Sequence, residues 1–364
     1  MSSWKKNIHT SIWRAETQID NLRARFREQM GLNRDWYVQL YHGYASRNHV
    51  HVEGRVLQDR NIAVSRSDSF FTNLLNTYKR LGSREAPHAV IELRVLTHQV
   101  VLTADDEGYF RTRIDHDGSL PDLPFEVSAQ LLAPEPVSQL FKGLVFPVTP
   151  AAAMGVISDV DDTILVTGAT SLRQMARWTF LHNAHTRHRL PGVGQWYRSL
   201  SEGAHETQQN PFFYVSSSPW NFFDLLHDFI CLNHIPQGPL LLRDYGIDEQ
   251  KMVVPTHGSH KIERCEALFY AFPHLCFVLI GDAGQEDAFI YRELLSRHPH
   301  RIKAVIIRAV PAHKRQQQIR QLVADASAQG KPMYWIETSL DGAHICQELG
   351  LLNEAQVAAV KNAM

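Results

Sequence analysis

Residues 155–163 read GVISDVDDT, an apolar run that passes directly into closely spaced carboxylates. The run predicts a buried strand, and Asp159 and Asp161 follow at its carboxyl end. Two carboxylates one residue apart repel each other unless a cation lies between them. A hard divalent ion such as Mg²⁺ takes oxygen ligands, so the stretch favours a magnesium site. Taken by itself, it also fits a charged turn after a strand.

The sequence around this stretch alternates between strand patterns and helical patterns from about residue 151 onward. The predicted strands are MGVIS at 154–158, FFYVSSS at 212–218, LLL at 240–242, CFVLIG at 276–281, KAVIIRAV at 303–310 and PMYWIE at 332–337. That alternation predicts a doubly wound α/β domain with a mainly parallel sheet. Ligands bind such sheets beyond the carboxyl ends of the strands, so candidate site residues belong there.

Three further segments bring polar residues to that edge. Ser216 follows an apolar run, Lys261 opens a predicted helix, and Asp282 and Asp287 follow a third strand in GDAGQED. A hydroxyl and an ammonium group can hold phosphoryl oxygens, and two more acids can bind a metal. Each signal is weak alone, because serines cap helices and a lysine at a helix start is normally a surface residue. Their order along the chain argues against coincidence.

The first part of the chain has a different character. Residues 35–150 carry short runs rich in β-branched and aromatic residues, which predict an antiparallel β-sandwich with one helical insert at 69–81. Apolar side chains at helical spacing with Lys and Arg between them predict a basic N-terminal amphipathic helix, and docking on its own protein is favoured over lipid binding. The predicted divisions are 1–34 for this helix, 35–150 for the β-sandwich, 151–345 for the α/β domain and 346–364 for a C-terminal helix.

Composition limits the partners that we expect. The chain has 37 basic and 38 acidic residues, and this balance gives no reason to expect a nucleic-acid partner. Its four cysteines lack CxxC spacing and fit buried, reduced thiols. Neither a signal peptide nor a transmembrane helix is predicted, since no apolar run approaches about 18 residues. We therefore expect a cytoplasmic protein, with peripheral contact to a membrane left open.

The motifs Asp-x-Asp-x-Thr, strand-Ser, Lys and Gly-Asp-x-x-x-x-Asp resemble, in this order, the four signature motifs of the haloacid dehalogenase superfamily. The longer strings SDVDDTILVTG, FYVSSSPWNFFDLL, GPLLLRD, HKIERCEAL and FVLIGDAGQED resemble the catalytic domain of the fungal actin-patch phosphatidate phosphatase family and its bacterial relatives. The resemblance covers about residues 151–310 and implies a Rossmann-like catalytic domain. The chain departs from the family at Ala309, where an acidic residue is usual, and we assign that stretch no role.

The resemblance implies catalytic roles for five residues. Asp159 would attack phosphorus and form an aspartyl-phosphate, and Asp161 would protonate the leaving oxygen and then activate water. Ser216 and Lys261 would hold the phosphoryl oxygens, and Thr163 completes the first motif.

The resemblance also implies a set of Mg²⁺ ligands. Asp159, the main-chain carbonyl of Asp161, and Asp282 would bind the ion, with Asp287 acting through water. Mg²⁺ is the only cofactor that we expect.

The implied activity is hydrolysis of a phosphomonoester, and phosphatidate, which gives diacylglycerol, is the favoured substrate. Two alternatives remain: a phosphatase of a soluble metabolite or phosphoprotein, and a catalytically idle scaffold that binds a partner through the β-sandwich. The segment between the first two motifs leaves little room for a large cap, which suits a phosphate on something bulky. Its aromatic residues and Trp220 fit either an apolar rim or ordinary packing, and we favour packing.

Overall fold

The computed structural model describes residues 36–58, 86–117, 120–160, 191–243, 257–310 and 315–364. The predicted helices over 1–34 and 69–81 lie outside these ranges, as do the segment expected to form the cap, Asp161 and Thr163. Two β-sheets contain all the strands of the described residues. Within those residues, no helix combines the length and the apolar character that crossing a membrane requires.

The first sheet contains eight strands from the β-rich part of the chain. They are β1 Trp36–Leu40, β2 Gly43–Ala45, β3 His49–Gln58, β4 Val90–Val95, β5 His98–Thr103, β6 Tyr109–Asp115, β7 Phe125–Ala133 and β8 Phe141–Pro147. Hydrogen bonds join them in the order β1-β3-β2-β8-β7-β4-β5, and β6 also pairs with β3. The pairs are antiparallel except β2 with β8, which run parallel. A parallel pair needs a long crossover, and the strands between β2 and β8 provide it.

This sheet surrounds one core. Alternate residues are buried along its strands, for example Val50 and Val52 on β3 and Val127, Ala129 and Leu131 on β7. The strands β5 and β6, although far apart in the pairing order, contact each other. The sheet therefore curls around its apolar side chains, and the prediction of a mainly antiparallel β region is confirmed in this coarser form.

The second sheet is entirely parallel. Its strands are β9 Gly155–Ser158, β10 Phe212–Pro219, β11 Leu240–Arg243, β12 Phe277–Asp282, β13 Ile302–Arg308 and β14 Met333–Ile336. The strand order is β11-β10-β9-β12-β13-β14, and every predicted strand of this region is confirmed. The order runs outward in both directions from β9 and β12, so the switch point lies between these two strands.

Helices cover both faces of the parallel sheet. They are α1 Val193–Glu202, α2 Phe223–Leu232, α3 His257–Ala271, α4 Asp287–Arg297, α5 Gln316–Ala328, α6 Ser339–Glu348 and α7 Glu354–Asn362. Helices α1, α2, α6 and α7 pack with Val156 on one face, whereas α3, α4 and α5 pack with Ile157 on the other. The chain after residue 346 therefore holds the end of α6 and all of α7, which contacts α1 and α6.

Aromatic side chains join the two sheets. The Tyr41 ring, between β1 and β2, stacks on Trp220 with centroids 3.9 Å apart. Tyr44 contacts Phe213 and Phe272, which belong to the core of the parallel sheet. Trp220 is only 3% exposed, so it packs inside the protein and does not form an apolar rim. The other residues suggested for that rim lie outside the described ranges.

Candidate active site

Three carboxylates meet at the switch point of the parallel sheet. Asp159 follows β9, Asp282 ends β12 and Asp287 begins α4. All three are fully buried, and one carboxylate oxygen from each lies within 4.8 Å of the others. The convergence arises because β9 and β12 are adjacent and parallel, so that their carboxyl ends reach the same edge.

Gly281 allows Asp287 to reach this edge. A Cβ atom at position 281 would lie 2.6 Å from the Asp287 Oδ2 atom and 2.8 Å from the Tyr291 ring. Such contacts are too short for any side chain, so only glycine lets α4 place its first residue against β12. Gly281 is therefore required for the close packing of α4 on β12.

The loop after β12 holds the Asp282 carboxylate in place. Its Oδ1 atom accepts hydrogen bonds from the main-chain N–H groups of Gly284, at 2.5 Å, and Gln285, at 2.9 Å. The Asp282 N–H group donates to Asp287 Oδ2 at 3.3 Å. The two acids are therefore linked through the main chain of one of them, which fixes their relative position.

Lys261 neutralises part of this acidic cluster. It lies in the second turn of α3 and its Nζ atom donates to Asp159 Oδ1 at 2.6 Å and to Asp287 Oδ1 at 2.5 Å. Burial by itself lowers the pKa of Lys261, but the two carboxylates outweigh burial and hold that pKa well above its usual value. The side chain is 1% exposed, so the surface location considered for this lysine is wrong.

The donor set fits a hard divalent cation. Three carboxyl groups and one ammonium group lie buried together, so the site offers several oxygen donors beside a single fixed cation. Carboxylate oxygens are the ligands that Mg²⁺ takes in proteins. Asp159, Asp282 and Asp287 are the described residues that could hold such an ion.

Ser216 lies on the neighbouring strand. In the register of β10 with β9, Tyr214 pairs with Ser158, which puts Ser216 just beyond the paired residues at the same edge. Its Oγ atom is buried and accepts a hydrogen bond from the Ser218 N–H group at 2.9 Å. The structure therefore brings Asp159, Lys261, Asp282 and Asp287 together, with Ser216 one strand away.

Sequence reasoning missed a second layer of buried polar residues behind Asp159. The Ser158 Oγ atom donates to the Asp159 main-chain oxygen at 2.7 Å and lies 2.8 Å from the Tyr197 hydroxyl. Arg308, the register partner of Asp282, is 2% exposed and donates to the Ser339 hydroxyl. Ser158 and Arg308, polar residues in otherwise apolar strands, were the signals available, whereas Tyr197 resembles any apolar residue of an amphipathic helix.

Part of the chain is similar to a known catalytic domain. Residues 154–309 match a family model described as "Phosphatidate phosphatase APP1, catalytic domain". The resemblance to the catalytic domain of the actin-patch phosphatidate phosphatase family is confirmed over this segment. All four residues of the carboxylate and lysine cluster lie within it.

Two curated fungal proteins are similar to the chain. The first is "Phosphatidate phosphatase APP1" of Saccharomyces cerevisiae, which is 33% identical over 204 residues, covering 52% of this chain and 33% of that protein. The second, an uncharacterized protein of Schizosaccharomyces pombe, is 28% identical over 193 residues, covering 51% of this chain and 30% of that protein. The chain therefore aligns with about a third of the length of either relative.

Similarity to solved structures is low. A carbohydrate acetylesterase from Xanthomonas citri matches with a TM-score of 0.32 and 9% identity, over 85% of this chain and 73% of that chain. A chitinase from Paenibacillus matches with a TM-score of 0.18 and 9% identity, over 84% of this chain and 24% of that chain. Neither match carries an argument about the fold or function of this protein.

Proposed function

We propose that this protein is a Mg²⁺-dependent phosphatase that hydrolyses a phosphomonoester through an aspartyl-phosphate on Asp159. The observation that carries the proposal is the convergence of Asp159, Lys261, Asp282 and Asp287 at the switch point of a parallel sheet. The cluster lies in the segment that matches an APP1 catalytic domain. Phosphoryl transfer depends mainly on positioning and charge stabilisation, and a buried group of carboxylates with one lysine suits both.

Asp159, Asp282 and Asp287 are the residues that would hold Mg²⁺, together with the main-chain carbonyl of Asp161. The ion, when bound, would neutralise the developing charge on the phosphoryl group. The hard oxygen donors that converge in the cluster support this choice of metal.

The protein's own residues would carry the covalent steps. Asp159 attacks phosphorus while the bond from phosphorus to the alcohol oxygen breaks, and Asp161 gives its proton to that oxygen. Water then attacks the aspartyl-phosphate and loses a proton to Asp161, which releases inorganic phosphate and regenerates Asp159. Lys261, already bonded to Asp159, holds the nucleophile and offsets phosphoryl charge. Ser216 would donate a hydrogen bond from its hydroxyl group to a phosphoryl oxygen.

Phosphatidate is the substrate that we propose, with diacylglycerol as the product. The support is the name of the yeast relative and of the matching family model. A lipid of this kind would be reached from the surface of the membrane. The assay is designed to distinguish this activity from two alternatives. One is hydrolysis of a soluble phosphomonoester or a phosphoprotein, and the other is a scaffold role without catalysis.

The test is phosphate release from phosphatidate in mixed micelles with Mg²⁺, with an aryl phosphate as a second substrate. We expect the wild type to hydrolyse both, and Asp159→Asn or a chelator to abolish turnover of both. Asp325→Asn, which changes an exposed acid on α5, is the matched control and should retain activity. Activity on the aryl phosphate alone would reject phosphatidate as the substrate. If no phosphomonoester is hydrolysed in an Asp159-dependent way, the proposed phosphatase function is rejected.

A further inference from the structure

The strands β9 and β12 separate at the candidate nucleophile. Their pairing ends at Ser158 and Ile280, where the Asp159 N–H group donates to the Ile280 oxygen at 2.8 Å. In a regular parallel ladder the next bond would run from the Asp282 N–H group to the Asp159 oxygen. Both groups have side-chain partners here, since the Asp282 N–H group bonds Asp287 Oδ2 and the Asp159 oxygen accepts from Ser158 Oγ.

The hydrogen bond from Ser158 Oγ to the Asp159 oxygen depends on a tyrosine. Ser158 Oγ carries a single proton, and the 2.7 Å contact to the Asp159 oxygen uses it. The Tyr197 hydroxyl, 2.8 Å away, must therefore donate to Ser158 Oγ. Tyr197 and Ser158 are both fully buried. The Tyr197 ring contacts the rings of Trp196 and Phe212, which restricts where its hydroxyl oxygen can lie.

We infer that Ser158 and Tyr197 are positioning residues that fix the peptide bond after Asp159. By binding the Asp159 oxygen, Ser158 turns that peptide away from β12 and sets the direction in which the chain leaves β9 toward Asp161. Tyr197 holds the Ser158 hydroxyl in the orientation that this bond needs. The inference rests on the proposed function, in which Asp159 is the nucleophile and the Asp161 carbonyl is a metal ligand.

This arrangement separates the two sides of the site. Lys261 approaches the Asp159 carboxylate from α3 on one face of the sheet, whereas Tyr197 approaches the Asp159 main chain from α1 on the other. The lysine therefore sets the position of the side chain and the tyrosine sets that of the following peptide. Outer residues of this kind orient the groups that bind a metal, and their loss typically costs about 10- to 100-fold in metal affinity or activity.

The experiment compares Tyr197→Phe, Ser158→Ala and the double variant with the wild type. We expect kcat on an aryl phosphate to fall about 10- to 100-fold in each, with little change in KM, because the phosphate-holding groups are untouched. The dissociation constant for Mg²⁺ alone, measured by calorimetry, should rise by a similar factor. The double variant should be no worse than Ser158→Ala, since Tyr197 acts only through Ser158.

Tyr214→Phe is the matched control. Tyr214 is an equally buried tyrosine in the same core, and its hydroxyl donates to the Pro236 oxygen rather than to Ser158. It loses one buried hydrogen bond without touching Asp159, so kcat and Mg²⁺ affinity should match the wild type. If Tyr197→Phe behaves like Tyr214→Phe in both measurements, the positioning role is wrong. Thermal unfolding checks that each variant folds. If Ser158→Ala does not fold, the comparison of Tyr197→Phe with Tyr214→Phe decides the test.

Mg²⁺ binding without substrate keeps this inference separate from the proposed function. Weaker Mg²⁺ binding in both variants, in a protein that hydrolyses no phosphomonoester, would overturn the phosphatase and support the positioning role. Normal Mg²⁺ binding and unchanged kcat in both variants of an active enzyme would overturn the positioning role alone.

Discussion

Gly281 is the residue on which the position of Asp287 depends. Its backbone is extended strand, so the requirement for glycine comes from the space that Asp287 and the Tyr291 ring occupy above it. Tyr291 is itself buried and its hydroxyl bonds the Ile280 oxygen, which leaves the ring little room to move. A methyl group at this position would therefore press on Asp287, whose Oδ2 and Cβ atoms would lie 2.6 and 2.7 Å from it.

Gly281→Ala should weaken Mg²⁺ binding and lower activity, because the displaced Asp287 loses its place among the carboxylates. The added methyl group should also lower the free energy of unfolding by about 1–3 kcal/mol. Calorimetric Mg²⁺ titration and urea unfolding measure the two effects. Gly155→Ala is the control, since its Cβ atom would meet the Phe277 ring at 2.5 Å, away from the site. Mg²⁺ affinity that is equal in the two variants would contradict this role of Gly281.

At the scale of elements, helix α3 connects the site to the β-rich sheet. Three residues after Lys261, Arg264 makes two hydrogen bonds to the Glu53 carboxylate on β3, at 2.7 and 3.3 Å. Arg111 on β6 contacts the same carboxylate at 2.6 Å. Burial raises the pKa of Glu53, but the two guanidinium groups outweigh it and hold that pKa below its usual value. Glu53 therefore stays ionised and anchors the helix that carries Lys261.

Glu53→Gln should lower the free energy of unfolding by about 2 kcal/mol, because it leaves the largely buried Arg264 without its acid. Hydrogen exchange along α3 should become faster, since the helix loses its anchor on β3. Glu126→Gln removes an exposed ion pair with Lys142 and should change neither quantity measurably. Equal stability of the two variants would show that the Glu53 contacts do not hold α3.

At the scale of the whole molecule, buried histidines make the contact between the sheets sensitive to acid. His42 lies between β1 and β2, 3.3 Å from the Gly238 oxygen and against the rings of Phe146, Phe223 and His227. Burial, with a smaller contribution from His227, lowers the pKa of His42 from 6.5 to about 3. Between these two values the unfolded chain binds a proton that the folded protein excludes, so the protein loses stability as the pH falls below 6.5.

We expect His42 to cost the wild type about 2 kcal/mol of unfolding free energy between pH 7 and pH 5. His42→Phe should make that dependence shallower, because the His42 imidazole no longer takes part, whereas His227, whose pKa burial also lowers, remains at this contact. His98→Phe, at an exposed position of β5, should leave the dependence unchanged. Urea unfolding at several pH values measures the slopes. A slope in His42→Phe as steep as that of the wild type would rule out this source of acid sensitivity.

Much of the architecture could be predicted from local patterns. The strand before Asp159 and the strand that ends at Asp282 could be identified from sequence. In each, an apolar run that passes into polar residues predicts a buried strand whose carboxyl end lies at the edge of the sheet. The break between β1 and β2, and the parallel pairing of β2 with β8, could not be read in the same way. They depend on partners far along the chain, and periodicity records only which side chains are buried.

Strand ends and chain order are local properties, so residue patterns were enough to predict that Asp159, Asp282 and Asp287 belong to one edge of a parallel sheet. Three features emerge only from the folded chain: Lys261 is buried between two of these acids, Glu53 anchors its helix from 211 residues away, and Tyr197 bonds Ser158 behind the site. The physical reason is that burial and hydrogen-bond partners arise from packing between distant segments, and residue type and spacing do not encode such pairs.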